Sequence, residues 1–236
     1  MKIICVEEEE KRKTTKIFFS TQMTKLSKNG KLISLGLVTS DGHGLYVENR
    51  DVIEDEDEIR NCDEFVIRNV LPTLFKGKEI KIKIKYKDES TCDADLSFMR
   101  IAYHYGGYKD IREKVLEFLS KFEHVVFYGD CCHYTTVFLF DLLTSDEDGN
   151  IVGYLPSNCS FMPHDINNDL AQALSISEED AFSIDRLKLS PFNYPTPGSE
   201  DFLYKKHNSI IIAMIMSTLY KGIIKKMIKN KRININ

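Results

Sequence analysis

Along the chain, apolar positions come first in short runs of strand length and later in longer stripes of helical period. Residues 17–19 (IFF), 32–38 (LISLGLV) and 44–48 (GLYVE) are apolar runs, and Asn29-Gly30 and Asp41-Gly42 stand between them as hairpin turns. An antiparallel meander is therefore expected at the front, behind a short strand at 2–6 (KIICV) and a charged turn. Residues 64–75 (EFVIRNVLPTLF) place Phe65, Val66, Val70 and Leu74 along a short helix broken near Pro72. In 78–87 (KEIKIKIKYK), Ile80, Ile82, Ile84 and Tyr86 alternate with Lys81, Lys83, Lys85 and Lys87, the pattern of a half-buried strand with a basic outer face. Such lysines either meet phosphates or guard a sheet edge against pairing with other chains, and the edge strand is the expectation. After a loop carrying DADLSF, residues 110–122 set Ile111, Val115, Leu116, Leu119 and Phe122 on one helical face. HVVFYGD (124–130) reads as a central strand and YTTVFLFDLL (134–143) as a helix packed on it. Segment 153–166, with Pro156 and Pro163, reads as loop, INNDLAQALSI as a weak helix, and 190–201 as a surface connection. A last helix, 207–232, is apolar in its first half and basic in its second.

Composition narrows this α/β pattern. At 236 residues, 42% hydrophobic and 29% charged, the chain is expected to be one globular domain over 1–236, ending in a basic helix or tail at 221–236. The formal charge of −4 gives no general attraction to phosphate, so any nucleic-acid surface must be local. The apolar run at 210–216 is too short to span hydrocarbon, so no membrane span and a cytoplasmic location are expected. Six cysteines at 5, 62, 92, 131, 132 and 159 follow no metal-finger spacing, which points to reduced thiols, and adjacent Cys131-Cys132 excludes the C-x-x-C redox geometry. The acidic block EDEDE at 54–58 is expected as a solvated loop, because five adjacent carboxylates repel one another.

Three short frames carry candidate chemistry. IFFSTQMTKL has a hydrophobic strand followed by Ser20 and Gln22; CCHYTTVFL has Thr135 one residue after an aromatic, on a helix behind a central strand; and HNSIIIA has His207, then Ile212 and Ala213. In this order the frames resemble the DEDDh exonucleases, the proofreading-type branch with the ribonuclease H-like fold, and FVIRNVLPTLF and PHDINNDL look like its smaller phage and bacterial relatives. The resemblance implies a ribonuclease H-like α/β domain with a mixed central sheet, antiparallel N-terminal hairpins and flanking helices. It also implies that Ser20, Gln22, Thr135 and Ile212 stand where that family carries its four metal-binding acids, and that His207 is the remnant of its general base.

Two-metal hydrolysis needs several carboxylates holding hard Mg²⁺ or Mn²⁺ beside the scissile phosphate. Serine, glutamine and threonine offer neutral oxygens, and isoleucine offers none. The resemblance therefore implies a catalytically silent relative with no cofactor, kept as a binding module for nucleic acid or protein. The alternative is a divergent Mg²⁺- or Mn²⁺-dependent 3'-5' exonuclease on single-stranded DNA or RNA, built on Asp130 and His207, with Asp165, Asp169 and His133 as further candidates. Six residues of helix after Thr135, Asp141 is expected to point away. Cys131, Cys132 and His133 are candidate soft ligands for zinc, although adjacent cysteines chelate awkwardly. A homodimer or partner-binding structural protein is the third reading, which a large exposed apolar face would favour. For nucleic acid the local signal is Lys221, Lys225, Lys226, Lys229, Lys231 and Arg232, six cations in twelve residues. Such a helix tracks phosphates, packs on the body with solvated lysines, or lies on an anionic membrane. Tyr103, Tyr105, Tyr108, Tyr128 and Tyr134 are candidates for stacking on bases.

Overall fold

The meander forms where the turn residues place it. In a computed structural model of the chain, β1 (Thr14–Met23) pairs antiparallel with β2 (Leu32–Thr39), and β2 with β3 (Gly44–Asn49). The residues described are 13–27, 29–78, 81–86, 91–95, 100–186, 192–193 and 207–233, with backbone alone at 81–86, 91–95, 192–193 and 223–233. The expected strand at 2–6 and most of the 190–201 connection lie outside them. Gly42, at φ 93°, takes the left-handed turn conformation that a side chain resists.

Parallel strands extend the meander on both sides. β6 (Ile101–Gly106) joins β3, β7 (His124–Gly129) joins β1, and β8 (His164–Asp165) joins β7. The sheet order is β6-β3-β2-β1-β7-β8, and β2 alone runs against its neighbours. Alternation along β1 sends Phe18 to one face and Ile17 and Phe19 to the other. Phe18, Val38, Tyr46 and Tyr128 are covered by α5 (Ile166–Leu174) and the terminal helix α7 (Ser209–Ile233), joined by Ala181 of the short α6 (Glu178–Ser183). On the other face Ile17, Phe19, Leu35 and Leu37 lie under α3 (Tyr108–Leu119) and α4 (Cys132–Thr144). α7 approaches the sheet tightly at Gly36, where a Cβ would fall 2.5 Å from Ile210. The helices fit the apolar stripes: Ile111, Val115 and Leu119 of α3 are fully buried.

Three expectations need correction. The acidic block is not a loop: after α1 (Arg50–Ile53), Asp55 caps a five-residue helix, α2 (Glu56–Arg60), whose acids sit in its first turn while Arg60 pairs with Glu56 and Asp57. Acids at a helix N-terminus meet the positive end of the dipole, which offsets their mutual repulsion. The lysine-rich strand β4 (Lys81–Tyr86) is not an edge, because it is the middle strand of a second sheet between β5 (Thr91–Asp95) and β9 (Phe192–Asn193). Residues 93–95 of the expected DADLSF loop belong to β5. The break near Pro72 is present as a π-turn at Val66–Val70 running into a 3-10 turn at Leu71–Thr73.

Candidate functional site

The ends of β1 and β7 carry most of the candidate residues. Phe19 pairs with Gly129 in the parallel register, so Ser20 and Asp130 are the next residues at the same end of the sheet. Ser20 is buried opposite Gly36, and Gln22 is half-buried opposite Ser34, whose hydroxyl meets that of Ser209 at 3.0 Å. Thr135 lies at the start of α4, where its hydroxyl donates to the carbonyls of Cys131 (3.3 Å) and Asp130 (3.4 Å). Its own carbonyl accepts from the Thr21 hydroxyl at 3.4 Å. Half-buried Ile212 packs against the cluster that holds Phe18, Tyr128 and Ile210. None of Ser20, Gln22, Thr135 and Ile212 carries a charge.

Asp130 is held by partners that the sequence did not announce. β7 stops at Gly129, Cys131 turns left-handed at φ 55° and ψ 54°, and α4 starts at Cys132. The Cys132 N–H donates to Asp165 Oδ2 at 3.0 Å. Oδ1 of the same carboxylate accepts from the backbone N–H of Asn167 (3.0 Å) and from its Nδ2 (2.7 Å). One carboxylate thus caps both α5 and α4, where helix N-termini favour negative charge. Asn167 Nδ2 also donates to Asp130 Oδ1 at 2.9 Å, and its Oδ1 accepts from Arg186 Nη2. Arg186 Nε lies 3.4 Å from Asp130 Oδ2, and Nη1 donates to the carbonyls of Ala181 (2.6 Å) and Ile184 (2.5 Å). Arg186 is 13% exposed, so its guanidinium fills this position rather than waving over it.

The divalent ions implied by the resemblance do not fit this donor set. Asp130 faces a guanidinium, Asp165 faces two helix N-termini and an amide, and Ser20, Gln22, Thr135 and Ile212 offer no carboxylate oxygen. Three of the histidines lie against aromatic rings. His207 meets Phe65 edge-on at 5.0 Å, exposed His133 lies against Tyr134 at 4.3 Å, and His164 stacks on Tyr128 at 4.8 Å. Among the described residues no three His, Cys, Asp or Glu side chains are placed to share a cation, so Asp130, Asp165 and Asp169 do not gather with His133 or His207. Nor do Cys131, Cys132 and His133 converge for zinc: the Cys132 thiol donates to the His164 carbonyl at 3.1 Å. Burial first, then the neighbouring carboxylates, push the Cys131 thiol up to about 11 and that of Cys132 up to about 12. Both therefore favour the protonated form at neutral pH. Asp141 points elsewhere, as expected, into a cleft of about 430 Å³ shared with Asn29, Asp51, Tyr108 and the 146–149 turn.

Most of the candidate stacking tyrosines are engaged internally. Tyr103 donates to Glu48 at 2.8 Å and Tyr105 to Glu54 at 2.8 Å. Tyr128 is buried beside Phe18 and Tyr220, where Lys16 donates to the Tyr220 hydroxyl at 2.6 Å. Tyr134 is half exposed on α4, with His133 against its ring.

Sequence reasoning missed Glu48. It is fully buried on β3 and accepts four hydrogen bonds, from the Tyr46 and Tyr103 hydroxyls and the backbone N–H groups of Phe75 and Lys76, all at 2.7 to 2.8 Å. The signal was its parity with Tyr46, which puts it on the same sheet face.

α7 continues without a break through the basic run to Ile233, and Lys221 is exposed where the buried half of the helix ends. Among the described residues no helix is long and apolar enough to cross a membrane. Compared with protein-family models and with curated proteins, the chain matches none.

Proposed function

We propose that this chain is a ribonuclease H-like domain of the DEDDh exonuclease type that does not hydrolyse nucleic acid and binds it as single strands through the basic half of α7. The arrangement of Asp130, Arg186, Asn167 and Asp165 carries the reading: the acids at the strand ends already have internal partners. The mixed sheet, with hairpins at the front, parallel strands beyond them and helices on both faces, is compatible with that fold. Neutral Ser20, Gln22, Thr135 and Ile212 leave His207 without a metal-bound water to deprotonate, since a histidine alone does not neutralise the charge that develops on phosphate.

For binding, the six cations from Lys221 to Arg232 fall within one helix and concentrate positive charge locally in a chain of net charge −4. About five phosphate contacts predict that log Kd rises with log salt at a slope near 3.5 for single strands. The test is to incubate the protein with 5'-labelled single-stranded DNA and RNA in Mn²⁺, beside EDTA and a His207→Ala control, and to measure anisotropy on the same strands. Intact substrate with micromolar, salt-sensitive binding, weakened at least tenfold by Lys225→Glu with Lys229→Glu, is the expected result. Metal-dependent shortening lost in the His207→Ala protein would overturn the silent-site reading and restore the exonuclease alternative. No binding at low salt would overturn the nucleic-acid part.

A further inference from the structure

Residues 151–163, IVGYLPSNCSFMP, contain no Asp, Glu, Lys or Arg in a chain that is 29% charged. Solvated loops do not ordinarily look like this, and the segment is not a slack one. Val152 and Gly153 donate to the carbonyl of Thr144 at the end of α4 (2.8 and 3.2 Å), and Ser145 bridges Ile151. The Asn158 amide donates to the carbonyls of Leu119 (3.0 Å) and Phe122 (2.8 Å) at the end of α3. Cys159 bridges Val125 of β7, and Ser160 donates to the Val125 carbonyl at 2.8 Å. Leu155 and Cys159 pack inward against the core under α3 and α4. The segment is a strap tied down at three places across the helical layer.

Its outward side chains are apolar and in water. Tyr154 is 96% exposed, Ile151 82%, Phe161 73%, Met162 63% and Val152 53%. With aromatic side chains at about 150–250 Å² each, these five expose on the order of 700 Å². That sum is close to the ~800 Å² that each partner contributes to a stable interface. The area is also fixed in place, so little conformational entropy is lost when it is covered.

We infer that this strap is the centre of a two-fold interface between copies of this chain. Across a two-fold axis each surface meets itself, so the requirement is self-complementarity. A run of apolar side chains free of charge meets it with no charge that must find its opposite across the axis. Neither the exonuclease resemblance nor the nucleic-acid reading is needed for this assignment.

The test is sedimentation velocity of the full chain from 1 to 100 µM, beside Tyr154→Asp with Phe161→Asp and beside Tyr154→Ser alone. A dimer is expected, with the double variant raising the dissociation constant at least a hundredfold and the single variant at least fivefold. Unchanged circular dichroism melts at the lowest concentration would show that the variants fold. A wild-type chain that stays monomeric at 100 µM overturns the inference. So does a dimer that the double variant leaves intact.

Discussion

Glu48→Gln should destabilise the fold by about 3–5 kcal/mol, a large effect for one amide in place of one oxygen. In the wild type, Oε1 accepts from the Tyr46 hydroxyl and the Phe75 N–H, and Oε2 from the Lys76 N–H and the Tyr103 hydroxyl. Tyr103 also accepts the Gly77 N–H at 2.8 Å, and reversing its bond to residue 48 would leave its own proton without that acceptor. A glutamine keeps one acceptor and turns an NH₂ toward two donors, so at least one buried N–H loses its partner. Orphaning a buried donor costs about 1–3 kcal/mol, and the remaining bonds lose the extra strength that a charged acceptor gives. The loss spreads further. The Tyr46 hydroxyl accepts from Asn208, which also bonds the Thr73 carbonyl and caps the start of α7 through the Ile210 N–H. Urea unfolding should give the order Glu48→Leu worst, Glu48→Gln next and Tyr103→Phe mildest, with Tm falling on the order of 10 °C for the glutamine variant. A Glu48→Gln protein within 1 kcal/mol of wild type would refute the reasoning.

Gly36→Ala should cost about 1–3 kcal/mol in urea unfolding, because its Cβ would press on the backbone of Ile210 at 2.5 Å and lift α7 from β2. Arg186→Met should cost about 2 kcal/mol by leaving Asp130 without its cation, and Asp130→Asn with Arg186→Met should recover part of that loss; a double-mutant cycle measures the coupling, and additive effects would deny the pair. Burial raises the Asp169 carboxyl above its ordinary 3.8, so the folded protein binds that proton more tightly than the unfolded chain does, and stability falls as pH rises from 3.8 through the folded value. Asp169→Asn should therefore raise Tm at pH 7 and give no gain below pH 3.8, as melts across that range will read.

What the sequence made legible was local. Asn29-Gly30 and Asp41-Gly42 set the hairpins, and the spacing of Ile111, Val115 and Leu119 set α3 and its buried face. α2 escaped because it has no apolar stripe and forms on the Asp55 cap and the Arg60 pairs. β4 was misplaced because its alternation says which faces it has, not that Thr91–Asp95 and Phe192–Asn193 come to lie on either side of it. At the candidate site the neutral side chains of Ser20, Gln22, Thr135 and Ile212 could be read directly, yet the partner of Asp130 could not. Arg186 stands 56 residues away on the far side of α5 and α6, and no spacing rule connects the two.

That long-range pair decides how the acids at the sheet end respond to metal. A divalent ion that binds only the folded chain raises its stability by RT ln(1 + [ion]/Kd), about 2.7 kcal/mol at a hundredfold excess over Kd. To bind at Asp130 it would have to displace the guanidinium, and to take Asp165 it would have to strip the carboxylate from the Cys132 N–H and from Asn167. Each displacement leaves a half-buried group without its partner, which offsets the gain. Millimolar Mn²⁺ should therefore leave the wild-type Tm unchanged within 1 °C in a scanning calorimeter, and Asp130→Asn should not alter that response. A rise of several degrees in the wild type, abolished by Asp130→Asn, would mean that Arg186 yields to an ion and that the strand ends still hold a working metal site.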